Sequence, residues 1–324
     1  MKVHGHSAER VNEALYLGDI IRTDGKNLSN IMDRVNKGLG IVNKIMDMLK
    51  SVSFGSKYFE MANTFREAHL INGMLSSAEI WYGLQKNEIT QLEEIDKLLL
   101  RRILEAPDST CIESQFLELG LIPINIILMA RRVNQLHYFA TLDKKEMLYK
   151  FFISQWKYPV KDDWTLEVKE NLKELDIDLT LEEIQKKSKN SFKRLVKTKT
   201  REYALHFLLD LKEKHTKMDN LQYTELKLQK YLKNDSIPVP EARNLYRFRT
   251  RCAKFKENMK TGYQSTPCPF CLVQPDNQIH SVQCSVVSTK VKIEGNYNDI
   301  FKENIPSNIS KTLMNISKLR EDVI

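Results

Sequence analysis

The chain is expected to be mainly α-helical, with one short β-hairpin at its N-terminal end and a small cysteine-histidine module near its C-terminus. Three observations predict this. Apolar residues recur at three- and four-residue steps through most of the first 142 residues, the period that puts side chains on one helix face. Strand-forming texture is confined to a few residues before the turn pair Asp24-Gly25. Finally, Cys268-Pro269-Phe270-Cys271 is followed, after eight intervening residues, by His280 and then Cys284. A two-residue gap in a turn lets two thiolates reach one metal, and residues four apart share one helix face, so each half offers two converging ligands. A tetrahedral Cys3His set suits one structural Zn2+ per chain, because four protein ligands leave no open position for a catalytic water.

Composition bounds the rest. The 324 residues are 42% hydrophobic, enough for one large core or two to three smaller ones, and a net charge of +8 favours a polyanionic partner. Of five cysteines, Cys111 and Cys252 stand apart from the cluster, a usage that suits a reducing compartment, nucleus or cytoplasm. The N-terminus lacks an apolar signal core. The most apolar run, Leu121 to Ala130, is too short for a bilayer and contains Pro123 and Asn125. No membrane partner is expected.

In chain order, Tyr16-Leu17-Gly18-Asp19-Ile20-Ile21-Arg22 reads as half of a hairpin, which needs the following helices to hold it. Ile31, Val35, Leu39, Val42, Ile45 or Met46, and Leu49 mark a first helix of about six turns, weakened by Gly38 and Gly40. A second helix is expected from about Lys57 to Leu75. A third runs from Glu88 to Leu104 with Leu92, Ile95, Leu99 and Ile103 on one face, ended by Pro107. A fourth, from Pro123 to Leu142, buries Ile126, Ile127, Ala130, Val133 and Leu136 and turns Arg131 and Arg132 outward. Trp81 and Tyr82 between the second and third helices read as core aromatics, with stacking platforms for bases as the alternative. Asp162-Asp163 lies in a polar loop after Pro159, a poor setting for a polymerase-type metal pair.

Beyond residue 142 the texture changes. Helices are expected near Leu166 to Leu175 and Leu181 to Lys187, the latter capped by Thr180 with Glu183 three residues on. Lys186 to Arg201 then carries eight basic residues and no acidic one, among them Lys193, Arg194, Lys197, Lys199 and Arg201. Like charges at helical spacing repel, and a phosphate backbone relieves them; a solvated face is the plain alternative. Helices near Glu202 to Lys214 and Tyr223 to Lys233 lead to the break at Ile237-Pro238-Val239-Pro240. Glu241 to Lys260 reads as a basic helix in which Arg243, Arg247, Arg249, Arg251, Lys254 and Lys256 interleave with Tyr246, Phe248 and Phe255. Arginine forks for phosphates beside aromatics for bases suit a binder of RNA or DNA; a core of Leu245, Phe248 and Phe255 merely flanked by arginines is the plain alternative. A last helix is expected from Ser307 to Arg320.

The order of these features resembles the C-terminal part of non-LTR (LINE-type) retrotransposon reverse transcriptases. The stretch from Tyr16 to Gly25 looks like the primer-grip hairpin, and the first helix is similar to the start of that family's helical thumb. Leu75, Glu79 and Trp81 match a motif ending in Ser-Glu-Thr-Trp, although Ser76, Ser77 and Ala78 depart from it. Leu99 to Leu104, Glu118 to Ile124, and Arg249-Thr250-Arg251 ahead of the cysteines continue the likeness, which covers Tyr16 to Cys284. The resemblance implies a thumb and zinc knuckle that grip template and primer, with palm and fingers expected before Met1. The Tyr-Ala-Asp-Asp turn of that palm does not occur in the 324 residues, so the chain alone is not expected to be an enzyme.

On this reading residues 1–26 are a hairpin remnant, 27–142 a thumb-like bundle, 143–240 a basic helical extension, and 241–324 the basic helix, knuckle and final helix. The expected function is nucleic-acid binding. A zinc-stabilised protein-interaction scaffold, or a truncated element product without function, are the alternatives. An exposed apolar patch around Leu15 to Ile21 would favour the last of these.

Overall fold

The structure, a computed structural model, describes residues 2–3, 6–7, 11–16, 19–52, 55–161, 163–258 and 266–323. Leu17 and Gly18 of the hairpin, Asp162 of the aspartate pair and Lys260 lie outside the described residues. The fold is mainly helical, with small two-stranded sheets at the N-terminal end. Strands β1 (Lys2–Val3) and β2 (His6–Ser7) form one, and β3 (Glu13–Tyr16) and β4 (Asp19–Arg22) the other. The helices are α1 (Leu28–Leu49), α2 (Gly55–Phe65), α3 (Asn72–Met74), α4 (Lys86–Leu104), α5 (Ile112–Leu119), α6 (Ile124–Ala140) and α7 (Met147–Lys157). After them come α8 (Trp164–Glu174), α9 (Leu181–Lys186), α10 (Lys189–Lys212), α11 (Val239–Arg249), α12 (Gln278–Gln283), α13 (Ser285–Lys290) and α14 (Ser307–Glu321). A π-helical stretch, Arg66–Ile71, joins α2 to α3, so the expected second helix is continuous but widened in its middle. No helix among the described residues is long and apolar enough to cross a membrane.

Contacts divide the chain into two units, neither contiguous in sequence: 1–41, 69–96 and 124–200 form one, and 42–68, 97–123 and 201–324 the other. In the first unit α6 is the central helix, burying Ile126, Val133 and Leu136 against the turn at Ala78–Ile80 and against α7, α8 and α9. The hairpin is held by α1: the Asn30 side chain accepts from Ile20 N at 2.5 Å and donates to Ile20 O at 2.8 Å, replacing a neighbouring strand. Arg34 adds an ion pair to Asp19 at 2.8 Å. Leu15 and Ile21 nevertheless stay exposed, at 75% and 57%. Gly38, read from sequence as a weak point of the first helix, is a point of close packing in the first unit. A Cβ there would lie 2.9 Å from both Ile95 and Met74.

Some expectations fail here. Arg131 and Arg132 do not face outward. Arg131 donates to Leu75 O at 2.5 Å, while Arg132 is buried, donates to Trp81 O at 2.9 Å and pairs with Glu167 at 3.2 Å. They satisfy carbonyls of the irregular link 75–81 that no helix or strand could satisfy. Trp81 is core as expected, whereas Tyr82 is exposed. Asp163 caps α8, its carboxylate accepting from Leu166 N at 2.9 Å, which accounts for it without a metal.

The second unit is built on α11, which packs along α14 with Leu245, Tyr246 and Phe248 completely buried. Burial of each such side chain contributes about 1.5–3 kcal/mol. The expected helix over Tyr223 to Lys233 is absent apart from a single 3-10 turn at Lys230–Lys233. Leu221, Tyr223, Leu226, Leu228 and Tyr231 are buried at steps of two and three, which an extended, winding chain satisfies and a helix does not. The expected helix over Glu241 to Lys260 starts earlier, with Pro240 in its first turn, and stops at Arg249. Arg251 takes φ 49°, Cys252 N bonds Arg247 O at 2.9 Å and Arg251 N bonds Phe248 O at 3.2 Å, a left-handed helix stop made without glycine.

Candidate metal centre and nucleic-acid interface

Thr266 to Asp276 fold back as a narrow hairpin closed by Cys268 N to Gln274 O at 2.7 Å and Asp276 N to Thr266 O at 2.9 Å. Leu272 turns the tip with φ 58°. This geometry aims the amides of Gln274 and Val273 at the Cys271 sulfur, and these donors, with His280, bring its thiol down to about 6. Cys268 moves the other way, raised by burial and by the neighbouring Cys284. His280 sits in the first turn of α12, whose N-cap Asn277 accepts from His280 N at 2.7 Å. Cys284 is the residue between α12 and α13, so it follows His280 by one turn without sharing its helix.

The four ligand atoms all lie within 4.8 Å of one another, and Cys271 Sγ is 3.2 Å from His280 Nε2. Ligands on a tetrahedral metal of this class are separated by about 3.3–3.8 Å, from bond lengths of about 2.0–2.3 Å. The cluster can hold one metal ion with little movement, and all three sulfurs are free thiols. The module is fixed to the helices around it. Asp276 takes a bidentate ion pair from Arg320 of α14 at 2.7 and 2.9 Å, both side chains being buried. Arg320 also lies 4.1 Å over the Phe255 ring, and Gln278 donates to Phe248 O at 3.1 Å.

The basic residues divide sharply. On α11 the guanidinium groups are engaged inside the second unit. Arg243 bonds Ile103 O at 2.9 Å, Tyr58 Oη at 2.6 Å and Glu105 at 2.5 Å; Arg247 bonds Glu105 O at 2.9 Å and its carboxylate at 3.1 Å. Arg249 is buried on Glu118, which accepts from its Nε at 3.1 Å and Nη2 at 3.0 Å. Burial alone would lower the Arg249 pKa, but the Glu118 carboxylate reverses this and the net shift is upward. These three arginines hold α4 and α5 to α11, their guanidinium groups engaged by acceptors of the protein itself. Tyr246 and Phe248 are fully buried, one on Ser114 Oγ at 2.8 Å and the other edge-on to Phe255 at 5.5 Å, so neither can stack a base. Arg251 is half-buried, Lys254 exposed and Lys256 half-buried, the last two beside a cavity of about 580 Å³ that Asn244 and Phe255 also line.

On α10 the arrangement is the opposite. Lys193, Arg194 and Lys197 are exposed, as is Lys189, and no ion pair or hydrogen bond engages their side chains among the described residues. Lys189, Lys193 and Lys197 follow one another at four-residue steps and share a face, with Arg194 beside them. Lys199 is held by Asp176 at 2.6 Å and Arg201 by Leu226 O.

Cys111, which stands alone in the sequence, has Glu113 and His215 as neighbours. Burial, with the Glu113 carboxylate adding to it, pushes its thiol up to about 12, the reverse of what an attacking thiolate needs. No periodicity or motif joins Cys111 to a histidine 104 residues away.

Comparison with family models, with curated proteins and with solved structures finds no match.

Proposed function

We propose that this chain binds the phosphate backbone of RNA or DNA through the exposed face of α10, and that its Cys3His module holds one structural zinc ion. The observation that carries the first part is the set Lys189, Lys193, Arg194 and Lys197: cations at helical spacing that no carboxylate pairs with among the described residues. Four like charges on one helix face repel, and neighbouring phosphates convert that cost into affinity while releasing counterions. Zinc is the metal that a closed set of three thiolates and one imidazole selects. The chain is read as the thumb and knuckle region of a LINE-type reverse transcriptase, on the order of its sequence motifs, and as having no polymerase activity by itself.

Two measurements test this. Binding of a single-stranded RNA oligonucleotide is expected to weaken with salt at a log–log slope of about −0.7 for each phosphate neutralised. A salt-independent interaction, or none, refutes the proposal. Metal analysis is expected to find a tightly held equivalent of zinc that is lost in Cys268→Ser. A zinc content unchanged by that substitution would remove the knuckle assignment.

A second reading, a protein-interaction scaffold, is favoured by one observation. Met147, Leu148 and Phe151 of α7 are exposed at 71%, 46% and 63%, three large apolar side chains within one turn of a helix. Under that reading α10 substitutions leave partner binding untouched.

A further inference from the structure

Glu113 stands out in the second unit because it is a well-covered carboxylate that no Lys or Arg pairs with among the described residues. Its side chain is 14% exposed, and among the described residues its neighbours are the Cys111 thiol, 2.7 Å from Oε2, and His215 Nε2, 3.5 Å from the same oxygen. Cys111 occupies the N-cap position of α5 and Glu113 its first turn, while His215 comes from the loop that follows α10. The ligand atoms of the three residues all lie within 4.8 Å of one another.

The order of the groups separates two chemistries. In a thiol-imidazole nucleophile the ring lies between sulfur and carboxylate, so that it can take the thiol proton. Here the carboxylate lies between sulfur and ring, and the thiol donates to it. One sulfur, one oxygen and one nitrogen all within 4.8 Å of one another, with the oxygen 3.5 Å from the nitrogen and the 2.7 Å sulfur–oxygen contact needing to open as the thiol proton leaves, is instead the donor pattern of a three-ligand zinc-type site.

We infer that Cys111, Glu113 and His215 form a second metal site, separate from the Cys3His cluster, that takes a borderline divalent cation such as Zn2+ and leaves its fourth position to solvent. A metal arriving there supplies the positive charge that Glu113 lacks. Coordination replaces the S–H bond of Cys111 by an S–metal bond and releases one proton to water; no electron changes hands. The thiolate donor disfavours Mg2+ and Ca2+, which take oxygen ligands. His215, 44% exposed at the open edge, makes the site reachable from solvent.

The test is metal stoichiometry on the full chain, with Zn2+ and with Co2+ as a spectroscopic probe, measured in competition with a chromophoric chelator. Two equivalents are expected, the second held more weakly because it has three protein ligands. Cys111→Ser and, separately, His215→Ala are expected to lose the second equivalent and keep the first, with circular dichroism unchanged; Cys268→Ser should lose the first and keep the second. A wild-type chain that takes up a single equivalent overturns the inference. So does a second equivalent that persists in both Cys111→Ser and His215→Ala. Because His215 is half-exposed in a loop, its variant tests the site even if substitution at Cys111 disturbs the start of α5.

Discussion

Glu118→Ala is expected to lower the unfolding free energy by about 3–5 kcal/mol, the cost of leaving a buried charge without its partner. Glu118 is completely buried, and one carboxylate oxygen accepts from Arg249 Nε and Nη2 and from Tyr223 Oη at 3.1, 3.0 and 2.8 Å. Its backbone oxygen also accepts from Gln229 N at 3.0 Å. The side chain therefore ties α5 to α11 and to the winding segment 221–232. Removing it strands the Arg249 guanidinium, 4% exposed, with the Ile300 carbonyl and the Tyr231 ring as its remaining contacts. Denaturant unfolding measures the loss. A change below about 1 kcal/mol would mean that water reaches this pair as it reaches a surface ion pair.

Gly120→Ala is the second large effect, and a neighbouring case separates its causes. Gly120 ends α5 at φ +69°, where any side chain is strained by about 1–2 kcal/mol. A Cβ would also fall 2.1 Å from Lys227 C and 2.3 Å from Leu228 N, so backbone must move, which brings the expected cost to about 3–4 kcal/mol. Gly83 has nearly the same conformation, φ +62°, with nothing within 4 Å. Gly83→Ala should therefore cost the conformational part alone, about 1–2 kcal/mol. Equal melting shifts for the two variants would contradict the close approach of segment 227–228 to α5.

What the sequence disclosed was local. The apolar period of α1 and the Thr180/Glu183 capping box need only nearby residues, and both are present as expected, as is the Cys3His spacing. One helix end is not legible. Arg251 stops α11 in the left-handed conformation and is not the glycine that usually announces such a stop, so the eleven-residue helix reads as about twice its length, whereas α4 and α8 end within a residue of where they are expected. Long-range pairing was invisible. Arg243, Arg247 and Arg249 look like phosphate ligands until Glu105 and Glu118, more than 130 residues away in the chain, are brought against them. Exposure cannot be read from a string of basic residues either, so the α10 and α11 runs looked alike before their partners were known.

The central claim, that α10 and not α11 presents the nucleic-acid contact, is tested most directly by comparing two variants of the full chain on one single-stranded RNA. The triple variant Lys193→Ala, Arg194→Ala, Lys197→Ala is expected to keep the wild-type melting temperature and to make the salt slope shallower by about 2–3. The double variant Arg243→Ala, Arg247→Ala is expected to melt lower, because Glu105 and the Ile103 carbonyl lose their donors, while its salt slope at a temperature where it is folded stays that of the wild type. The opposite result, an unchanged slope in the α10 variant and a reduced one in the folded α11 variant, would contradict the account.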